Sequence, residues 1–158
     1  MAASPRPESP SSRWLAGLAP PQPQADLGAL QLAWLGDAVW ELHQRLRHCA
    51  RPGRGRELHR AVVEEVKAEA QARALQRLGP LLRPEERDQV RRGRNRAGPG
   101  PRRGDAGLYG QATGFETMLG WLFLRNPGRR AELLDHLEET ASVPGPSHHR
   151  PSAHESPS

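Results

Sequence analysis

LAWLGDAVWE, residues 32–41, is apolar almost throughout, yet it places Asp37 in its middle and Glu41 one helical turn later. A carboxylate inside an apolar segment is costly to desolvate unless something pairs with it, so the pairing group has to be found elsewhere in the chain. Around this stretch, Leu27, Leu30, Trp34, Leu35, Ala38, Val39, Leu42 and Leu46 recur at helical spacing and cover more than one face. That pattern predicts a central, mostly enclosed helix. It should start near Asp26 as N-cap and run to about His48, before the break RPGRGR at 51–56.

Working outward, a second helix is expected over roughly Glu57 to Leu78, ended by Gly79-Pro80. A third opens with Pro84, Glu85 and Glu86, a favourable first turn, and runs into the cluster RRGRNR. After the loop AGPGPRRGDAG, a fourth from about Gln111 to Leu124 gathers Phe115, Met118, Leu119, Leu122 and Phe123 around one acid, Glu116. A fifth, about Arg129 to Thr140, stacks Leu133, Leu134 and Leu137 on one side. Alternating strand patterns and internal repeats are lacking, so the fold class is all-α with about five main helices. Residues 1–25 and 142–158 are rich in Pro, Ser and Ala and read as disordered tails, leaving 26–141 as the folded domain.

Composition narrows the classes. The chain has 158 residues, 35% hydrophobic, and its 16 Pro and 16 Gly favour breaks over regular structure. A single cysteine, Cys49, allows no intramolecular disulfide and fits a reducing compartment, with the cytoplasm as default. No apolar run approaches the ~20 residues that cross a membrane. The formal net charge is +5, and of 23 basic residues all but Lys67 are arginine. Six arginines, Arg91, Arg92, Arg94, Arg96, Arg102 and Arg103, face a single acid, Asp105, between Gln89 and Phe115. The natural ligand of such a block is a polyanion.

Asp37 and Glu116 each stand among large apolar neighbours on separate predicted helices. Two acids brought together in a dry place repel each other unless a cation lies between them. Magnesium suits one or two carboxylates completed by waters and a phosphate oxygen. Metal-assisted phosphodiester hydrolysis follows, with the arginine loop holding the nucleic-acid backbone beside Glu116. A structural reading stands beside it: a helical Asp can cap a neighbour or pair with an arginine, and pattern alone does not decide between the two. Glu41 can be a further ligand or an outer partner of the metal, although a pair with Arg45 on its own helix is favoured. His148, His149 and His154 in the tail, and His43, His48 and His59, lack the neighbours of a metal or nucleophilic site. The motifs of nucleotide, zinc and serine chemistry are missing.

LAWLGDAVWE, RRGRNR and YGQATGFETMLGWLFL, in that order over residues 27–126, resemble the Mini-ribonuclease III family, short relatives of ribonuclease III without the separate double-stranded RNA-binding domain. The resemblance implies a ribonuclease III catalytic-domain fold and a homodimer that uses Mg2+ to cut double-stranded RNA, maturing the ends of 23S ribosomal RNA precursor. It makes Asp37 and Glu116 the catalytic, metal-binding pair and Trp34 the aromatic inserted at the dimer interface. Arg91, Arg92, Arg94, Asn95, Arg96, Arg102 and Arg103 fall in the region that contacts RNA. The larger enzymes carry further acids where this chain has Ala33 and Thr113, which leaves fewer metal ligands. With no second RNA-binding domain, affinity is expected to be modest and salt-dependent, and a ribosomal protein could supply selectivity. The rival is a non-catalytic RNA-binding or ribosome-assembly protein on the same fold; a third reading, a helical module for an acidic protein, fits the arginine clustering less well.

Overall fold

The computed structural model describes residues 26–102 and 104–141. The expected tails, with the three tail histidines, and Arg103 lie outside them. The described residues form six α-helices: α1 (Ala29–Cys49), α2 (Gly55–Glu65), α3 (Ala68–Leu78), α4 (Pro84–Arg96), α5 (Ala106–Arg125) and α6 (Pro127–Ala141), with a short 3-10 turn, Gly79–Leu81, after α3. There is no strand among them.

Helix α5 is the central one, and this corrects the expectation for α1. Ten of its residues, including Phe115, Thr117, Met118, Leu119 and Leu122, are buried, and it packs against α1, α3, α4 and α6. Helix α1 buries one face through Leu32, Ala33, Gly36, Val39 and Trp40. Its apolar Leu30, Trp34 and Leu42 remain exposed. The surplus of apolar residues on α1 therefore marks an open apolar stripe and not full enclosure. The core closes where Trp40 meets Phe115 edge-on at 5.0 Å between centroids, with Leu78, Leu133, Leu134 and Leu137 around them.

Three boundaries differ from expectation for local reasons. Helix α1 has Gly28 as its N-cap, whose N–H donates to the Gln31 side chain at 2.9 Å; Asp26 instead pairs with Arg125 at 3.0 Å. The expected second helix is two helices, because Lys67 is extended between Val66 and Ala68. The Trp40 indole donates to the freed Glu65 carbonyl at 2.9 Å, satisfying a group that the break exposes. Helix α5 begins five residues earlier than expected, since the Asp105 carboxylate accepts from Gly107 N–H at 2.8 Å and Leu108 N–H at 3.3 Å.

The end of the bundle is pinned by one buried ion pair. Glu86, in the first turn of α4 and wholly buried, receives Arg129 Nε at 2.7 Å and the Arg83 N–H at 2.7 Å, while Arg129 also reaches the Leu81 carbonyl at 2.7 Å. Burial acts to raise the Glu86 pKa, but the bonds from Arg129 and Arg83 and their charges outweigh it and hold the carboxyl below its ordinary value. Hydrogen bonds to charged groups contribute ~1.5–3 kcal/mol. Glu86→Gln keeps the shape and loses the charge, so it should lower unfolding stability at pH 7 by about 2 kcal/mol in urea denaturation. The loss should shrink as pH falls through the native Glu86 pKa, where the wild-type carboxyl also becomes neutral.

Candidate active site

The site is built on two glycine crossings. A Cβ at position 36 would lie 1.8 Å from the Glu116 backbone oxygen and 2.9 Å from the Gly120 nitrogen; one at position 120 would lie 2.0 Å from the Leu32 oxygen. Helices α1 and α5 thus touch backbone to backbone, which only glycine permits. The residue after Gly36 is Asp37 and the residue four before Gly120 is Glu116, so the contact that locks the helices also sets the two acids face to face. On the other side of α5, a Cβ at Gly93 would meet Thr117 Oγ1 at 2.3 Å, and one at Gly114 would meet the Val90 oxygen at 2.7 Å. That second crossing lays α4, with its arginines, along the N-terminal half of α5. The Thr117 hydroxyl, bonded to the Ala29 carbonyl at 3.2 Å, ties the start of α1 to the same region.

The two carboxyl groups meet. Burial is the main cause that pushes Glu116 up to about 7; the Gln71 side chain opposes this, and the charge and hydrogen bond of Asp37 add to it. Asp37 is raised as well, first by burial and then by the Glu41 charge, with the Glu116 hydrogen bond acting the other way. The pair therefore holds a proton on Glu116, donated to Asp37, near neutral pH. The sequence pattern suggested an enclosed Asp37, whereas Asp37 stands on the exposed side of α1 and Glu116 is the more buried acid. Glu41 takes Arg45 at 2.6 Å, the pair favoured from their spacing.

A divalent cation fits this donor set. Two carboxyls that keep a proton between them near neutrality would each be neutralised by an ion in its place, and both offer the hard oxygens that magnesium prefers. Among the described residues no group of three or more His, Cys, Asp or Glu is placed to hold an ion.

The four arginines in the C-terminal half of α4, Arg91, Arg92, Arg94 and Arg96, line two hollows. Arg92, Asn95 and Arg96 line one of about 490 Å³ with Gly28, Ala29, Leu30 and Gln31 at the start of α1. Arg91, Arg94 and Asn95 line another of about 280 Å³ with Ala106, Gly107 and Gly110 at the start of α5. Each hollow joins guanidinium groups to the positive end of a helix, a combination that favours anions. Arg102 is exposed in the loop before α5. Trp34 is 82% exposed, in line with Leu30, Ala38 and Leu42 on the open face of α1.

The ribonuclease III domain family matches residues 30–127. The chain belongs to the ribonuclease III family. Within it the chain stands with the Mini-ribonucleases: it is 48% identical over 120 residues to "Mini-ribonuclease 3" of Synechococcus sp., covering 76% of this chain and 87% of that one. It is 43% identical over 133 residues to "Mini-ribonuclease 3" of Synechocystis sp., covering 83% and 93%. A crystal structure of a Fusobacterium nucleatum protein superposes with a TM-score of 0.65 at 25% identity, over 76% of this chain and 96% of that one. The ribonuclease III fold expected from the three motifs is therefore present. No helix among the described residues is long and apolar enough to cross a membrane.

Sequence reading missed the residues that place the acids. Gly36, Gly93, Gly114 and Gly120 look like ordinary helix-weakening glycines, and their shared spacing to Asp37 and Glu116 gains meaning only once the helices are paired. Gln71, on α3, carries no signal of its own within an alanine-rich helix.

Proposed function

We propose that this chain is a magnesium-dependent endoribonuclease that cuts double-stranded RNA as a homodimer, with 23S ribosomal RNA precursor as its natural substrate. The observation that carries this reading is the facing pair Asp37 and Glu116, set at a backbone-tight helix crossing, with α4 and its arginines packed along another side of the same helix α5. Membership of the family supports ribonuclease activity. The choice of ribosomal precursor is what the resemblance of the three motifs to the Mini-ribonuclease III family implies.

Asp37 and Glu116 would hold the ion. When bound, Mg2+ supplies positive charge beside the scissile phosphate and makes the attacking water more acidic. Glu116 must lose its proton for this state, and Asp37 must face it unprotonated. Arg91, Arg92, Arg94, Asn95 and Arg96, with Arg102 and Arg103, grip phosphates on the duplex by shape, as suits A-form RNA. Water attacks phosphorus in line, the bond to the 3′ oxygen breaks, and that oxygen takes a proton, leaving a 5′-phosphate and a 3′-hydroxyl.

The stripe of Leu30, Trp34, Ala38 and Leu42 supports a second copy as the dimer partner, because exposed apolar patches of this kind mark interaction surfaces. Two active sites related by a two-fold axis match the pseudo-two-fold symmetry of a duplex, one strand each. Trp34→Glu should therefore give a folded monomer in light scattering, since buried interface aromatics contribute ~2 kcal/mol or more to association. A dimer unchanged by the substitution would remove Trp34 from the interface.

The test of the whole reading is incubation of the purified chain with a long RNA duplex, with Mg2+ or chelator, for wild type, Asp37→Asn and Glu116→Gln. Metal-dependent cutting that both variants lose, with duplex binding kept, supports the nuclease. Binding without cutting by the wild type supports the non-catalytic RNA-binding protein instead.

A further inference from the structure

Gln71 sits where a core residue belongs. On α3 it shares a stripe with Ala74 and Leu78 at helical spacing, all three buried, and Gln71 is only 2% exposed. A polar group there is costly unless its hydrogen bonds are made. Yet the Gln71 Nε2 is buried without a hydrogen-bond partner. Its side chain meets the Glu116 carboxyl, on the helix that α3 packs against. The amide thus lies beside the Glu116 carboxyl with a buried N–H donor still to be used.

We infer that Gln71 is a positioning residue whose Nε2 donates to the ionised Glu116 carboxylate and so presents that group to the divalent ion; the inference rests on the metal-dependent reading above. The chemistry follows from the donor inventory. A carboxylate that binds a cation is acceptor-only and has room for a donor beside the ion. Carboxylates that bind metals are commonly held in this way by hydrogen bonds from behind, and loss of such a partner costs ~10–100-fold in metal affinity or activity. The idea also explains how a chain with Ala33 and Thr113 in place of further acids can keep a defined site. Orientation comes from a neutral amide on a third helix, and no extra negative charge is added.

The experiment compares wild type, Gln71→Met and Gln71→Glu, both close to the glutamine in volume, with Asp37→Asn as reference. Calorimetric titration with Mn2+ is read beside melting temperature and duplex binding in chelator. Gln71→Met should weaken Mn2+ binding by about tenfold or more, with duplex binding unchanged. Gln71→Glu removes the donor and adds repulsion, so it should weaken Mn2+ binding at least as much. Unchanged Mn2+ affinity in both variants overturns the inference, including where the melting temperature falls, since that is the mark of a packing role alone. Tighter binding by Gln71→Glu overturns it too, because position 71 would then be a ligand position. Failure of the underlying reading looks different: Asp37→Asn would bind Mn2+ as well as wild type, and the inference would fall with it.

Discussion

Gly36→Ala should destabilise the chain by more than about 4 kcal/mol, above the usual range for a point substitution, while Gly110→Ala should leave stability unchanged or raise it. The difference lies in what the new methyl group meets. At 36 it lands 1.8 Å from the backbone oxygen of Glu116, and beyond that lies the Gly120 nitrogen. Side chains can rotate out of the way; a helix backbone cannot. The helices must separate, and ordinary overpacking already costs ~1–3 kcal/mol when only side chains and small shifts are involved. At 110, also inside α5, a methyl group meets nothing within 4 Å. There the helix should gain the ~0.5–1 kcal/mol by which alanine exceeds glycine. Urea denaturation of the two variants gives the comparison directly. Because Asp37 adjoins the crossing, any folded Gly36→Ala protein should also lose metal binding.

Asp37→Asn and Glu116→Gln should each reduce duplex cleavage by ~10³-fold or more, near the larger losses seen when groups that stabilise a transition state are removed. Their effect on stability should run the opposite way. In the metal-free fold the Glu116 pKa is raised from 4.5 to about 7. Below the unfolded value both states keep the proton and there is no penalty. As pH rises from there to about 7, the unfolded chain releases its proton first, so the native state binds more protons and stability falls. Above the native pKa the deficit is constant, on the order of 3 kcal/mol. The raised Asp37 pKa adds to it in the same direction. Glu116→Gln should therefore be more stable than wild type at pH 8 in chelator, with the gain shrinking toward pH 5. Added Mg2+ should narrow the gap by stabilising the wild type alone. A residue kept for packing would show the reverse, with the wild type more stable throughout.

Much of this architecture can be read from the chain itself. Helix α4 announces itself through Pro84 and Glu86, and Glu86 does close the first turn on the Arg83 N–H at 2.7 Å. The three motifs identify the fold because their order and spacing are held together by one packing arrangement. Other features depend on partners distant in sequence. The break between α2 and α3 has no Gly or Pro to signal it; it is satisfied by the Trp40 indole, 25 residues away. The α1 periodicity shows which residues are apolar but not which stay uncovered, since Trp34 and Trp40 look alike until α5 takes one side. For the site, Asp37 and Glu116 stand out as acids in apolar company. Gln71 does not, because a glutamine in an alanine-rich helix looks like a solvated residue until α3 is laid on α5. Gly36 and Gly120 are silent for the same reason.

The most direct measurement is calorimetric titration of Mn2+ into the metal-free chain at pH 6 and at pH 8, each in two buffers of different ionisation heat. If Asp37 and Glu116 share one ion, binding at pH 6 must expel the proton that Glu116 holds below its pKa of about 7, and at pH 8 it has little to expel. The predicted result is one saturable event with proton release close to one at pH 6, much smaller at pH 8, and absent from both Asp37→Asn and Glu116→Gln. Binding that survives in either variant, or that releases no proton at pH 6, would contradict the account.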